Sequence, residues 1–156
     1  MTPTELMQLA IDKCREGITA GQSPFGCAIA KGDEIIAVCH NTVVATTDIT
    51  AHAEINALRL GCQQVGDIFL EDCIVASTCE PFPMCMSALH WARVPKVYFG
   101  ATIADAETAG FSELQLAAAE IVRIGGSLVE LESGLLANEC MSLFDEWLNS
   151  PSPRRY

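Results

Sequence analysis

The chain has 156 residues, of which 50% are hydrophobic and 19% are charged, so a disordered chain is excluded and one domain with a single core is expected. Its 9 basic and 20 acidic residues give a net charge of −11, which disfavours a nucleic-acid partner and favours a small, neutral substrate. No segment has the roughly 20 consecutive apolar residues of a membrane span, and the N-terminus does not read as a signal peptide. We therefore expect a cytoplasmic protein whose eight cysteines do not form a disulfide framework.

Hydrophobic periodicity, capping residues and turn residues divide the chain into helices that alternate with short strands. In chain order we expect a helix with Thr4 as its N-cap that ends before Gly21, strands over 25–30 and 34–39, and a helix from about Thr50 to Leu60 that Gly61 ends. These are followed by a strand over 73–77, a helix from Pro83 to Trp91, a strand over 96–99, a helix over 113–122, a strand over 128–131 and a helix over 135–148. This order indicates an α/β layered domain with a mixed sheet. We assign residues 1–150 to a single domain and residues 151–156 to a C-terminal tail, with the chain leaving the helical body after Asn149.

Two short motifs carry the chemistry of the sequence. His52-Ala53-Glu54 reads as H-x-E, and the segment from Glu80 to Cys85 stands where P-C-x-x-C would follow. In zinc-dependent base deaminases one His and two Cys hold Zn²⁺, and the Glu moves protons without binding the metal. The pattern therefore predicts His52 and Cys85 as zinc ligands and Glu54 as the catalytic carboxylate. Phe82 stands at the place of the third ligand, and a phenyl ring cannot donate to a metal.

Both motifs fall at predicted helix N-termini, each of which carries roughly half a positive charge. This charge is expected to lower the pKa of the Cys85 thiol and to favour the thiolate that a metal requires. Zinc can lower the pKa of bound water to about 7. Glu54 would take a proton from that water and deliver it to a ring nitrogen and then to the leaving amine.

The other histidines and cysteines near the motifs are weaker candidates for the third ligand. Cys79 lies at the end of a predicted strand, where its side chain is expected to pack in the core. His90 is expected at the pocket edge or on the surface, and His40 is expected to be an ordinary strand-end residue. Either motif alone is common, so the prediction depends on finding both at this spacing.

With these residues the chain resembles the bacterial nucleobase and nucleoside deaminases of the zinc-dependent cytidine deaminase superfamily, and within it the guanine deaminase or tRNA-adenosine-deaminase-like branch. The resemblance runs over nearly the whole chain. Its markers are Pro24-Phe25-Gly26, His40-Asn41, the segments 50–54, 77–81, 83–86 and 88–93, and Ala109-Gly110-Phe111. It implies a three-layer α-β-α cytidine-deaminase-like fold with a five-stranded mixed sheet, one Zn²⁺ per chain, and a homodimer whose active sites lie near the interface.

The resemblance also implies a set of substrate-binding residues. They are Phe25, Asn41, Ala53, Trp91, Glu113 and Tyr156. Asn41 would hydrogen-bond the base, and Phe25 and Trp91 would form its apolar and stacking walls. Glu113 would lie near the substrate and Tyr156 would close over the pocket. A loop turn and a disordered tail are the competing interpretations of those last two positions.

The sequence therefore predicts a zinc-dependent hydrolytic deaminase of a free nucleobase, with a guanine-type purine favoured and the metal site compromised by Phe82. Catalytic zinc sites normally have three protein ligands. The alternative is a catalytically inactive deaminase-fold subunit or a base-binding module, which would fold and dimerise without tight zinc.

Overall fold

The computed structural model describes residues 1–156. Seven helices and five strands make up the fold. The helices are α1 (Pro3–Thr19), α2 (Val43–Thr46), α3 (Ala53–Val65), α4 (Pro83–Trp91), α5 (Ile103–Thr108), α6 (Ala118–Gly125) and α7 (Ala137–Leu148). The strands are β1 (Gly26–Lys31), β2 (Glu34–His40), β3 (Ile74–Cys79), β4 (Lys96–Ala101) and β5 (Glu130–Ser133).

The strands form one mixed sheet in the order β2-β1-β3-β4-β5. Strand β1 is antiparallel to β2 and β3, whereas β3, β4 and β5 are parallel. Helices α1 and α7 pack on one face, and α3 packs on the other face beside α4, which in turn contacts α6. The predicted α/β fold with three layers and a five-stranded mixed sheet is confirmed.

Helix α1 begins two residues earlier than expected because Thr2, and not Thr4, is its N-cap. The Thr2 hydroxyl accepts a hydrogen bond from the Glu5 backbone N–H, and the Glu5 carboxylate accepts one from the Thr2 backbone N–H. Pro3 fills the first helical position, where its missing N–H costs nothing. This capping box satisfies orphan donors at the helix start.

Helix α3 begins and ends later than the sequence indicates. The Asp48 carboxylate accepts hydrogen bonds from the backbone N–H and hydroxyl of Thr50, which keeps that residue in the preceding loop. Gly61 does not end the helix. It lies inside it, where a Cβ would contact the sheet at ordinary van der Waals distance. Gly66 is the C-cap, with φ +74°, a conformation that glycine adopts without steric cost.

The second half of the chain departs further from the expected boundaries. The helices α2 and α5 are short and were not predicted. Residues 113–117 are not helical, and α6 begins at Ala118. Strand β5 begins at Glu130, paired with Lys96, and leaves Leu128 on the surface. No helix of the protein is long and apolar enough to cross a membrane.

Candidate active site

The two sequence motifs meet at the N-termini of neighbouring helices. His52 is the N-cap of α3 and Phe82 is the N-cap of α4, so Glu54 and Cys85 lie in the first turns of the two helices. The ligand atoms of His52, Glu54 and Cys85 all lie within 4.8 Å of one another, and all three residues are buried. The fold therefore brings together the two predicted metal ligands and the predicted proton carrier.

Glu54 is held at this site by a residue that the sequence analysis missed. The Ser77 hydroxyl, on β3, donates a hydrogen bond of 2.7 Å to Glu54 Oε1, and both residues are buried. This hydrogen bond fixes the orientation of the Glu54 carboxylate. It uses one carboxylate oxygen, Oε1, and does not involve the other, Oε2. The sequence signal was present, because Ser77 and Thr78 are the only polar residues in a buried strand that is otherwise apolar.

The electrostatics of the metal-free site differ from the prediction. Burial, and then the neighbouring Glu54 carboxylate, raise the pKa of the Cys85 thiol well above its ordinary value. Burial also lowers the pKa of His52, and Glu54 opposes this shift. Burial and the nearby Glu54 carboxylate thus oppose the expected lowering of the Cys85 pKa by the helix N-terminus.

Phe82 is part of the aromatic core and has no ligand atom to offer. It is only 3% exposed, and its ring lies edge-on to Phe25 with 5.7 Å between the ring centroids. It also meets the His52 ring edge-on at 6.0 Å. Phe25 in turn contacts Phe111 and Phe144, so Phe82 extends a continuous aromatic cluster to the metal-ligand position.

The residues present fit a zinc ion in part. His52 Nδ1 and Cys85 Sγ are 3.5 Å apart. A tetrahedral zinc with a Zn–N bond of about 2.0 Å and a Zn–S bond of about 2.3 Å places two such atoms about 3.5 Å apart. The His/Glu/Cys cluster is thus compatible with Zn²⁺, but only if Glu54 serves as the third protein ligand. A Glu54 bound to metal is not free to carry protons, so this donor set does not complete a catalytic zinc centre.

A cavity of about 250 Å³ opens beside the cluster. Its walls include His52, Phe82, Glu113 and Tyr156. Burial, and then the Glu54 carboxylate, raise the pKa of Glu113 to about 7. Glu113 therefore lines the same cavity as His52, and its contact with a substrate stays a prediction.

The C-terminal tail does not leave the helical body, in contrast to the expectation from its prolines and arginines. The Tyr156 ring lies 5.5 Å from that of His52 and 5.4 Å from that of Phe111. Asn41 Nδ2 donates a 2.7 Å hydrogen bond to the Tyr156 hydroxyl, and the Tyr156 backbone oxygen accepts one from the Ser112 N–H. Burial raises the pKa of the Tyr156 phenol, with Glu113 and Glu54 adding to the shift.

Asn41 is fully buried and oriented by its own local structure. Its Oδ1 accepts a 3.0 Å hydrogen bond from the Val43 backbone N–H, which directs the amide NH₂ towards Tyr156. Ala53 is also fully buried and is the first residue of α3. Its backbone N–H lies in the first turn, where a helix offers no internal acceptor.

Trp91 does not line the cavity, and its assignment as a stacking wall is corrected. It is the last residue of α4, at the opposite end from Cys85, and its side chain is 73% exposed. The reason is helix geometry: six residues of helix correspond to about 9 Å along the axis. The aromatic rings around the cavity come instead from Phe82 and Tyr156. Phe25, the other predicted wall, is buried against Phe82 and does not line the cavity.

Glu80 is a second residue that the sequence analysis did not assign to a role. Its buried carboxylate accepts backbone hydrogen bonds from Ile103 at 3.0 Å and from Ala118 at 2.8 Å. These are the first residues of α5 and α6, and the N-cap of α6 has no capping side chain of its own. Glu80 therefore fixes both ends of the segment that carries Glu113.

The remaining candidates lie where the sequence analysis expects them. Cys79 is buried, and its thiol donates to the Thr102 backbone oxygen. His90 is exposed and pairs with the Ser127 hydroxyl. His40 is the last residue of β2.

A three-layer fold with H-x-E and a cysteine at adjoining helix N-termini defines a deaminase scaffold. The model of the cytidine and deoxycytidylate deaminase zinc-binding region matches residues 1–101, and the chain belongs to this family of hydrolytic deaminases. Guanine deaminase from Bacillus subtilis (strain 168) is 41% identical over 114 residues, which are 72% of this chain and 73% of that protein. The tRNA-specific adenosine deaminase from Aquifex aeolicus is 37% identical over 95 residues, which are 61% of this chain and 63% of that protein.

A solved structure of guanine deaminase from Nitrosomonas europaea is similar over most of the fold. It matches with a TM-score of 0.86 and 27% identity, covering 94% of this chain and 84% of that one. The similarity extends well past residue 101, into the part of the chain that carries Glu113. The three relatives thus include deaminases of a free base and of tRNA.

Proposed function

We propose that this chain binds a free guanine-type purine as a nucleobase deaminase does, and that Phe82 limits its zinc occupancy and therefore its turnover. One observation carries the proposal. The proton carrier Glu54 and the ligands His52 and Cys85 are assembled beside a base-sized cavity, whereas the third ligand position holds a buried phenyl ring. This arrangement supports binding of a base beside a metal site that lacks one ligand.

The groups around the cavity suit a purine that offers N–H donors. The carboxyl group of Glu113 can accept hydrogen bonds from the ring N–H and the amino group of guanine. The Tyr156 and His52 rings supply flat surfaces for an aromatic base. In the reaction, water adds to the ring carbon that bears the amine, the C–N bond breaks, and ammonia leaves. Glu54 is the group placed to move the protons.

A free base is favoured over tRNA by charge. The chain carries a net charge of −11, and a protein that neutralises nucleic-acid phosphates requires a basic surface. The identity to guanine deaminase, 41%, is also higher than the identity to the tRNA-specific adenosine deaminases of Aquifex aeolicus, 37%, and Streptococcus pyogenes, 29%. Phe82 is the specific observation that supports the alternative of a base-binding subunit without catalysis.

We also propose a homodimer that acts in the cytoplasm. Exposed apolar side chains on the outer layer formed by α3, α4 and α6 support the dimer, and they include Leu60, Trp91 and Ile124. The eight cysteines are free thiols, most of them buried, which suits a reducing compartment.

The test compares guanine turnover by the natural chain, by Phe82→Cys and by Phe82→Cys combined with Glu54→Gln, each after exposure to zinc. Xanthine formation is followed by absorbance and ammonia by a coupled assay. We expect Phe82→Cys to form xanthine at least about a hundredfold faster than the natural chain. The double variant should lose about 10²–10⁴-fold of that rate, the usual contribution of a positioned acid–base group. Equal rates for the natural chain and Phe82→Cys would contradict the role of Phe82. A zinc-loaded Phe82→Cys that deaminates adenine or cytosine but not guanine would contradict the base assignment.

A further inference from the structure

The C-terminal segment is attached to the body by Arg155 as well as by Tyr156. Arg155 Nε donates a 3.1 Å hydrogen bond to the Ala109 backbone oxygen. Its guanidinium carbon also lies 5.7 Å from the centroid of the Trp147 ring, within the range of a cation–π contact. Both arginines are exposed, but Arg154 makes no hydrogen bond, ion pair or cation–π contact. The two arginines at the end of the chain therefore have different roles.

Gly110 gives Arg155 the space for these contacts. Its backbone has φ +98°, which L side chains rarely adopt. A Cβ added at Gly110 would meet Nε of Arg155 and would lie 2.8 Å from its Cδ, closer than real Cβ atoms approach other atoms. Any larger residue at position 110 would thus displace the arginine. The Arg155 side chain therefore packs in the space that the missing side chain of Gly110 leaves free.

The packing site of Arg155 at Gly110 lies next to the base pocket. Ser112, two residues after Gly110, donates its backbone N–H to the Tyr156 oxygen, and Ser112 and Glu113 line the cavity. The hydrogen bond from Arg155 to Ala109 and the one from Ser112 to Tyr156 therefore hold the end of the chain alongside residues 109–112. This alignment places the Tyr156 hydroxyl on Asn41.

We propose that Gly110 and Arg155 are positioning residues that anchor the C-terminal segment, and that this anchor determines how much of the time Tyr156 covers the base pocket. Without Arg155 the tyrosine keeps its own contacts with Ser112 and Asn41 but loses the attachment next to it. The anchor involves neither a metal ligand nor the proton carrier. Only its effect on base binding depends on the proposed function.

The test uses the folded chain of 156 residues and measures release of its last residue, Tyr156, by carboxypeptidase A. The variants are Gly110→Ala and Arg155→Ala. Gly126→Ala is the control for backbone strain, because Gly126 also has positive φ, +66°, but nothing lies within 4 Å of its added Cβ. Arg154→Ala is the control for charge. Rates are divided by those of free peptides covering residues 147–156 of the same variants, which removes the preference of the protease for the penultimate residue.

We expect Gly110→Ala and Arg155→Ala to release the tyrosine at least about tenfold faster than the natural chain, a change equivalent to about 1.4 kcal/mol. Gly126→Ala and Arg154→Ala should behave as the natural chain does. The anchor is refuted if Gly110→Ala and Arg155→Ala release the tyrosine at the natural rate. It is also refuted if Gly126→Ala is as fast as Gly110→Ala and Arg154→Ala is as fast as Arg155→Ala. Circular dichroism and thermal unfolding identify any variant that has lost its fold, and Arg155→Lys provides a milder change. Lysine keeps the charge but not the planar group, so it should give an intermediate rate.

A second arm adds guanine to the same assay. If the base binds beneath Tyr156, guanine slows release from the natural chain and does so less in Arg155→Ala. Protection by guanine that is equal in both proteins would refute the link between the anchor and the pocket. Absence of protection in both, with the difference between the variants intact, would count against the proposed function and leave the anchor supported.

Discussion

Replacing Phe82 by cysteine should exchange aromatic packing for a metal ligand, and the two effects can be separated. Phe82 is 3% exposed and contacts the rings of Phe25 and His52. Truncating a buried Phe to Ala costs about 3–5 kcal/mol, and a cysteine retains one heavy atom more than alanine. We therefore expect Phe82→Cys to lower the free energy of unfolding of the metal-free protein by about 2–4 kcal/mol.

Zinc binding should restore the free energy of unfolding that the Phe82→Cys substitution removes. The new thiolate joins His52 and Cys85 in a three-ligand set and leaves Glu54 free. A ligand that binds only the folded state at a thousand times its Kd stabilises that state by about 4 kcal/mol. Zinc-saturated Phe82→Cys should therefore approach the stability of the natural chain, whereas zinc should change the natural chain by less than about 1 kcal/mol.

The assay is urea unfolding in a zinc buffer and in chelator, followed by tryptophan fluorescence. Phe82→Ser is the matched control, because it leaves a similar cavity but supplies no thiolate. The reasoning is refuted if zinc stabilises Phe82→Ser as much as Phe82→Cys, or if it stabilises the natural chain by several kcal/mol. In the second case the cluster of His52, Glu54 and Cys85 would already be a strong zinc site.

Three further predictions concern residues around the site. Glu113 has a pKa raised from 4.5 to about 7, so its contribution to stability is fully present below pH 4.5 and is lost as the pH rises through 7. Glu113→Gln should remove that part of the pH dependence in chelator-treated protein. The assignment is contradicted if the free energy of unfolding changes by the same amount between pH 5 and pH 8 in both proteins. Glu80→Ala leaves two buried backbone N–H groups without an acceptor and should cost about 2–4 kcal/mol in urea unfolding, whereas Glu107→Ala on the surface of α5 should cost almost nothing. Trp91→Ser should leave the affinity for guanine, measured by calorimetry, unchanged because Trp91 is exposed and does not line the cavity. A large loss of affinity would indicate that Trp91 contacts the base.

The part of the site that the sequence predicted depends on local spacing. His52 and Glu54 are two residues apart, and Phe82 and Cys85 share one helix turn, so helix geometry alone places each pair. The meeting of the two helix ends followed from recognising both motifs together. Phe82 was identified as a problem for the metal because its chemistry, and not its position, is unsuitable.

The part that the sequence did not predict depends on contacts between distant segments. Ser77 reaches Glu54 across 23 positions, and Glu80 reaches Ala118 across 38. No periodicity encodes such pairs, and the start of α6 was misplaced because its cap is a carboxylate from another part of the chain. The tail was misjudged for the same reason, since Tyr156 is held by Asn41 across 115 positions.

The most direct measurement is the zinc content of the natural chain and of Phe82→Cys, determined side by side by elemental analysis after dialysis. The account predicts far less than one zinc per natural chain and about one per Phe82→Cys chain. About one zinc per natural chain would contradict it, because His52 and Cys85 would then be sufficient with a further ligand to hold the metal despite Phe82.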